Sequence, residues 1–378
     1  MGEILLRAQD QLKLDILYKI ETQKLTRSEG RLLLNVSERT LRRYLERYRK
    51  KGLLGIRHGN CLRRPLNKIN DDFKRQIQEL IKGKYYDFNI LHMQEKLKEN
   101  HNVVVKRETL RKWCHELKLV KREKRRRSKA RKIRPRMGQA GLLVQMDGSY
   151  HRWFSETPAC LMALIDDASN EVHAEFFPYE TTPACLKVLK DFIRKKGVFQ
   201  VLYVDKAGVY GGIKRTHFSQ VERALNELGV SIVYAQSPEG KGRVERFFGT
   251  LQDRLVAEMR LNKINNINDA NKYLQEHYLP HLHNPKFCVQ PINTISAYKP
   301  LHPGYDLDKI FCIKEFRTVA RDHTFSVGAE KYMIADQIRY SIHKQKVEIR
   351  FKNNGQFEAY YLEKRLTVLK VKKYKIGA

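Results

Sequence analysis

Paired cysteines are missing from this sequence. Its six cysteines, at 61, 114, 160, 185, 288 and 312, form no C-x-x-C pair, and none has a histidine at zinc-finger spacing. This argues against a zinc site and against a disulfide framework. Cys114, Cys160 and Cys312 stand in apolar contexts and are expected as small core residues. No apolar run is long enough to span a bilayer and no signal peptide is read, so a soluble intracellular protein is expected. Acids are scarce too. Against 74 Lys and Arg stand 42 Asp and Glu, a formal net charge of +32 over 378 residues. A folded chain this basic is expected to sit on a polyanion. Its length suffices for two or three domains with their own cores.

Three of the few acids sit in recognisable places. Asp147 closes the apolar run of "LLVQMDGSYHRWF", and Asp205 closes that of "FQVLYVDKAGVYGG". Glu245 lies one turn into a helix that opens after a Gly-rich stretch, "SPEGKGRVERFFGTLQDRL". Three carboxylates delivered by two strand ends and one helix can hold two Mg²⁺ ions. Such ions, about 3.5–4 Å apart, bracket the attacking and leaving oxygens of a phosphoryl transfer. With so basic a chain, the phosphodiester is expected to be DNA. Lys241 and Arg243 add positive charge beside the scissile phosphate in this reading. Asp166 and Asp167 compete as ligands, but Asp-Asp-Ala-Ser-Asn between hairpin strands is good turn chemistry, and the turn is the favoured reading. Trp153, Phe154 and Tyr203 are read as core, and His281 and His283 as surface residues beside a Pro/Asn loop.

Along the chain, residues 1–60 read as a helix-turn-helix. Asn35-Val36 make the turn, Ser37 caps the next helix, and Leu41, Tyr44, Leu45 and Tyr48 form one buried stripe. Arg39, Arg42, Arg43 and Arg47 lie mostly off that stripe and are candidate DNA contacts. Residues 61–120 read as a second helical DNA-binding domain, because "RETLRKWCHEL" echoes "RTLRRYLERY"; Arg111 and Lys112 are its candidate contacts. Residues 121–138 form a basic linker that includes Arg125, Arg126 and Arg127, expected to lie along phosphates. From 139 to 300 the pattern predicts strands at 142–147, 160–166, 171–178, 199–204 and 231–235 and helices at 182–195, 216–228 and 242–260. Hairpins first and crossovers later give the layout of an RNase H-like α/β domain. Residues 301–378 alternate apolar and polar residues and predict a small β-barrel-like domain.

Together "VQMDGSYHRWF", "LMALIDDAS", "YVDKAGVYGG" and "SPEGKGRVERFFGTLQDRLVAEMRL" resemble the DDE transposases of bacterial insertion sequences. The nearest group is the ISNCY type, whose integrase core is kin to retroviral integrases. The resemblance spans nearly the whole chain: a tandem helix-turn-helix region, an RNase H-like core and a C-terminal β domain. It implies Asp147, Asp205 and Glu245 as a metal-binding triad for two Mg²⁺ ions, with Mn²⁺ able to substitute. It implies DNA strand cleavage and strand transfer as the activity. The implied partners are double-stranded DNA, both as terminal inverted repeats and as target, and further copies of the chain in the DNA complex. The implied location is a bacterial cytoplasm, at the nucleoid. Two alternatives share these residues: a transposase-derived DNA-binding regulator, and an RNase H-like nuclease that cuts without joining.

Overall fold

A computed structural model describes residues 8–56, 68–120, 134–154, 156–205, 219–235, 242–337, 340–352 and 355–371. The chain divides into two compact units, Met1–Ile77 and Gln78–Ala378. No helix among the described residues is long and apolar enough to cross a membrane.

The first unit is built on α1 (Ala8–Glu21), α2 (Arg27–Leu34) and α3 (Glu38–Lys51). Thr26 and Glu29 form a reciprocal capping box that starts α2. Asn35 ends α2 in the left-handed conformation, at φ 50°, and Ser37 caps α3 by accepting from the Thr40 N–H. Leu17, Leu41, Leu45 and Ile56 make the core, with Tyr44 and Tyr48 packed against it. Gly30 inside α2 packs tightly on α1: a Cβ there would sit 2.4 Å from Ile20 Cδ1, and that side chain would have to shift.

After α4 (Asp71–Gly83), the second unit continues with α5 (Ile90–His101) and α6 (Arg107–Glu116). Asn102 ends α5 at φ 52°, the same device as Asn35. Leu110, Trp113 and Cys114 of α6 are buried, with Met93 and Leu97 of α5.

The central sheet runs β3-β2-β1-β4-β5. Its strands are β1 (Leu143–His151), β2 (Ala159–Asp166), β3 (Val172–Phe177), β4 (Val201–Val204) and β5 (Ser231–Tyr234). The first three pair antiparallel, and β1–β4 and β4–β5 pair parallel. This is the RNase H-like arrangement. On one face α7 (Thr182–Lys196) and α8 (Gln220–Glu227) bury Val144, Met146, Met162 and Leu164. On the other, α9 (Gly242–Leu261), α10 (Ile267–Tyr273) and the π-helical stretch Leu274–His283 bury Leu161, Ala163 and Ile165. The outer ladder edge of β3 meets a side chain: Asn271 of α10 accepts from the Phe176 N–H (2.6 Å) and donates to the Phe176 carbonyl (3.0 Å). Two short helices follow, α11 (Asn284–Phe287) and α12 (Leu307–Ile310), and Leu307, Ile310 and Phe311 fill the α7 side of the core.

The C-terminal expectation needs correction. There is no barrel. Strands β6 (Ile313–Thr318), β9 (Lys346–Phe351), β10 (Phe357–Tyr361) and β11 (Lys364–Leu366) form one open sheet in the order β11-β10-β9-β6. Strands β7 (Thr324–Val327), β8 (Glu330–Ile334) and β12 (Val368–Lys370) form a second, in the order β12-β8-β7. Closure requires every strand to have two neighbours. Here β6, β11, β7 and β12 are all edges. Val347, Ile349 and Ala359 from one sheet share a core with Phe325 and Ile334 from the other. Alternation of apolar and polar residues reports a one-sided sheet and does not distinguish a barrel from two small sheets face to face.

Candidate active site

Asp147 lies on β1, the middle strand of the sheet. In the parallel register Leu143↔Val201, Val144↔Leu202, Gln145↔Tyr203, the last pair stands two residues before Asp147 on one strand and two before Asp205 on the other. Asp205 directly follows β4, so both acids lie just past the last paired residues of the parallel ladder. Their face is defined by pairing. Asp147 is the cross-strand partner of Ala163, and Ala163 belongs to the core beneath α9. Cross-strand partners share a face, so Asp147 points to the α9 side.

Helix α9 presses Val244, Phe247, Phe248, Leu251, Leu255 and Met259 into that same core. Glu245, between two of these, is exposed near the start of the helix. Gln252 Nε2 donates to Ser149 Oγ (3.2 Å) and ties α9 to β1 just beyond Asp147. Among the described residues, no three His, Cys, Asp or Glu side chains gather closely enough to hold a metal ion. Asp147 lies on β1, Asp205 directly follows β4, and Glu245 lies in the first turn of α9. The Cys160 thiol nearby is pushed up to about 12, chiefly by burial with Glu180 and Asp147 adding, which suits a core residue.

The acids at the far end of β2 have different duties. Asp166 Oδ1 accepts from the Ala168 and Ser169 N–H groups (3.0 and 2.8 Å), as a turn residue does. Its Oδ2 accepts from the Gly141 N–H (2.7 Å) and the Tyr298 hydroxyl (3.0 Å). Asp167 is fully buried. Its Oδ1 accepts from Gln145 Nε2 (2.7 Å), from Arg243 Nη1 (2.7 Å) and from Arg134, and its Oδ2 from the Met137 N–H (2.9 Å).

The candidate DNA contacts are spread over the chain. Arg39, Arg42, Arg43 and Arg47 are exposed on α3, with Arg42 paired to Glu38 at 2.7 Å. On α6, Lys112 is exposed and Arg111 makes a bidentate pair with Glu108 (2.6 and 2.8 Å). Arg243 turns inward to Asp167. Arg125, Arg126, Arg127 and Lys241 lie outside the described residues.

No family model matches the chain. It is 32% identical over 345 residues to the putative transposase y4bF of Sinorhizobium fredii, covering 89% of this chain and 75% of that one. The chain belongs to the transposase family. The transposase for insertion sequence IS1202 of Streptococcus pneumoniae is 30% identical over 300 residues, covering 68% of this chain and 64% of its own length. Among solved structures, the magnesium-bound integrase catalytic core of HTLV-2 matches 39% of this chain and 93% of its own, at 15% identity and TM-score 0.29. The simian T-cell lymphotropic virus intasome matches 77% and 99%, at 13% identity and TM-score 0.36.

This transposase also carries an assembly that sequence reasoning missed. Helix α5 docks on the second half of α9 through buried charge. Glu258 accepts from His92 Nε2 (2.7 Å) and pairs with Lys96 (2.8 Å). Arg254 pairs with Glu95 (2.8 Å), which also takes Lys286, and Arg260 grips Asp87 with two hydrogen bonds of 2.7 Å. Burial pushes the Glu258 carboxyl up, but hydrogen bonds from His92 and Lys96 outweigh it and leave it below its ordinary value. A signal was present: Arg254 and Glu258 are i, i+4 neighbours among the apolar positions Leu251, Leu255 and Met259. Charges on a buried stripe call for buried partners.

Proposed function

We propose that this transposase is a DDE enzyme of the ISNCY type that cleaves DNA at the ends of an insertion sequence and transfers the freed strand to target DNA. The observation that supports the reading is the β1–β4 register, in which Gln145 pairs with Tyr203, each two residues before an aspartate of the proposed triad. Carboxylates are hard oxygen donors of the kind Mg²⁺ prefers. Asp147 and Asp205 would hold the metal, with Glu245 completing the set from α9. Mn²⁺ would substitute. When bound, the metal makes the attacking oxygen nucleophilic and offsets charge at the phosphorus.

The chemistry divides into two balanced steps. In cleavage, a water oxygen bonds to phosphorus while the bond to the 3′-oxygen breaks, leaving a 3′-hydroxyl and a 5′-phosphate. In joining, that 3′-hydroxyl bonds to a target phosphorus, and the displaced target 3′-oxygen takes up a proton. The helices at the N-terminal side, with Arg39, Arg42, Arg43 and Arg47 on α3 and Lys112 on α6, would hold the element end. The partners are then double-stranded DNA and a second copy of the chain that brings the other end.

The experiment pairs a strand-transfer assay with a gel shift on Asp147→Asn, Asp205→Asn and Glu245→Gln. Each substitution keeps shape and removes one negative charge. Cleavage and joining are expected to fall by at least about 100-fold, since in-line transfer tolerates little misplacement. Binding to element-end DNA is expected to persist. Near-normal joining by any one variant removes that residue from the triad. A wild-type chain that binds without cutting is a regulator, and one that cuts without joining is a nuclease.

A further inference from the structure

Asp167 sits where three parts of the chain meet. Gln145 belongs to β1 and lies two residues before Asp147, on the same face of the strand. Arg243 belongs to the first turn of α9 and lies two residues before Glu245. Both donate to the same oxygen, Asp167 Oδ1, each at 2.7 Å. The third part is the segment at 134–137 that leads into the core. Arg134 pairs with Asp167, its carbonyl accepts from Arg243 Nη2 (3.0 Å), and the Met137 N–H donates to Asp167 Oδ2 (2.9 Å). The Asp167 side chain is fully buried and that of Arg243 is 16% exposed.

A turn residue needs none of this. Turn chemistry is supplied by Asp166 next door. A buried carboxylate with four donors is a directional joint, because an unmet donor or charge at that depth is costly. The one oxygen also spans the two elements whose separation decides where Glu245 stands relative to Asp147.

We propose that Asp167 and Arg243 are positioning residues: their buried pair, shared with Gln145, sets the start of α9 against β1 and so sets Glu245 against Asp147. Arg243 acts through Glu245 and touches no phosphate. The inference rests on the metal-triad reading above and adds to it a cause for the placement of the third acid.

The test uses the full chain carrying Arg243→Met, Arg243→Lys or Asp167→Asn, with Glu245→Gln alongside. The readout is joining of element-end DNA as Mg²⁺ is titrated, at a temperature well below each variant's melting point. Arg243→Met should raise the half-saturating Mg²⁺ concentration at least fivefold, with end-DNA affinity within twofold of wild type. Arg243→Lys, which restores one donor and the charge, should recover part of that shift. Asp167→Asn should move it in the same direction; if that variant does not fold, the two Arg243 variants still decide. Wild-type metal dependence in Arg243→Met overturns the inference. So does a loss of DNA affinity with unchanged metal dependence, which would make Arg243 a phosphate contact. If Glu245→Gln joins normally, the triad reading falls and this inference with it.

Discussion

Buried histidine is where side-chain chemistry most visibly departs from the sequence-based expectation. His283 was expected at the surface beside a Pro/Asn loop, yet it is 3% exposed among Phe247, Tyr278 and Phe287. A loop signal locates a turn in the chain and says nothing about what covers it. Burial, with Arg254 adding, holds its pKa down to about 4. His173 is likewise held down to about 4, chiefly by burial. Both stay neutral in the fold while the unfolded chain takes up protons near pH 6.5. Stability is therefore complete above pH 6.5 and is lost as pH falls toward 4. Each histidine should cost about 2 kcal/mol between pH 7 and pH 5. Urea midpoints measured across that range check this. His283→Gln should flatten the profile; an unchanged slope would show that His283 titrates alike in both states.

Helix α9 repays attention at the next scale. It carries Glu245, the Arg243 joint and the charged stripe that receives α5. It also has a glycine in its interior. Gly249 is exposed, its backbone is in ordinary helical conformation, and a Cβ added there would meet nothing within 4 Å. Gly30 in α2 is the contrast, since its Cβ would collide with Ile20. Gly249→Ala should therefore stabilise the second unit by about 0.5–1 kcal/mol, the ordinary helix-propensity gain. A thermal or urea melt reads it directly. Destabilisation would mean that the site is more crowded than its geometry indicates.

Elements were legible in proportion to how local their causes are. The turn at Asn35, the Ser37 cap and the stripe through Leu41 and Leu45 all follow from neighbours within one or two turns. Strand β2 is apolar from Ala159 to Ile165 because both faces of the sheet are covered, and it reads as such. Asp205 could be placed just after a strand because it terminates an apolar run, whereas Asp147, expected at a strand end for the same reason, lies inside β1, which runs on to His151. The β1–β4 register could not be read, because a long crossover sets it. The same limit hid the α5–α9 contact, whose partners His92 and Glu258 lie far apart in sequence.

At the scale of the molecule, the excess of 74 basic over 42 acidic residues dominates any encounter with DNA. Binding of the full chain to element-end DNA should weaken steeply with salt. Each neutralised phosphate contributes about −0.9 to the slope of log K against log salt concentration. Arg42→Ala with Arg43→Ala should cost preference for the end sequence. Ala in place of Arg125, Arg126 and Arg127 should weaken all sequences alike and flatten the slope. Competition gel shifts at two or more salt concentrations separate these. Intact preference in the Arg42/Arg43 variant would remove both from base reading.

The amide of Asn271 on Phe176 bears on the outer edge of the central sheet. Strand β3 ends the central sheet, and an open ladder edge there would offer itself to any β-strand of another chain. One side chain occupies both the N–H and the carbonyl that such a strand would need. At Phe176 the Asn271 amide thus imitates the backbone of a further strand. A strand from another chain could pair with Phe176 only after displacing Asn271.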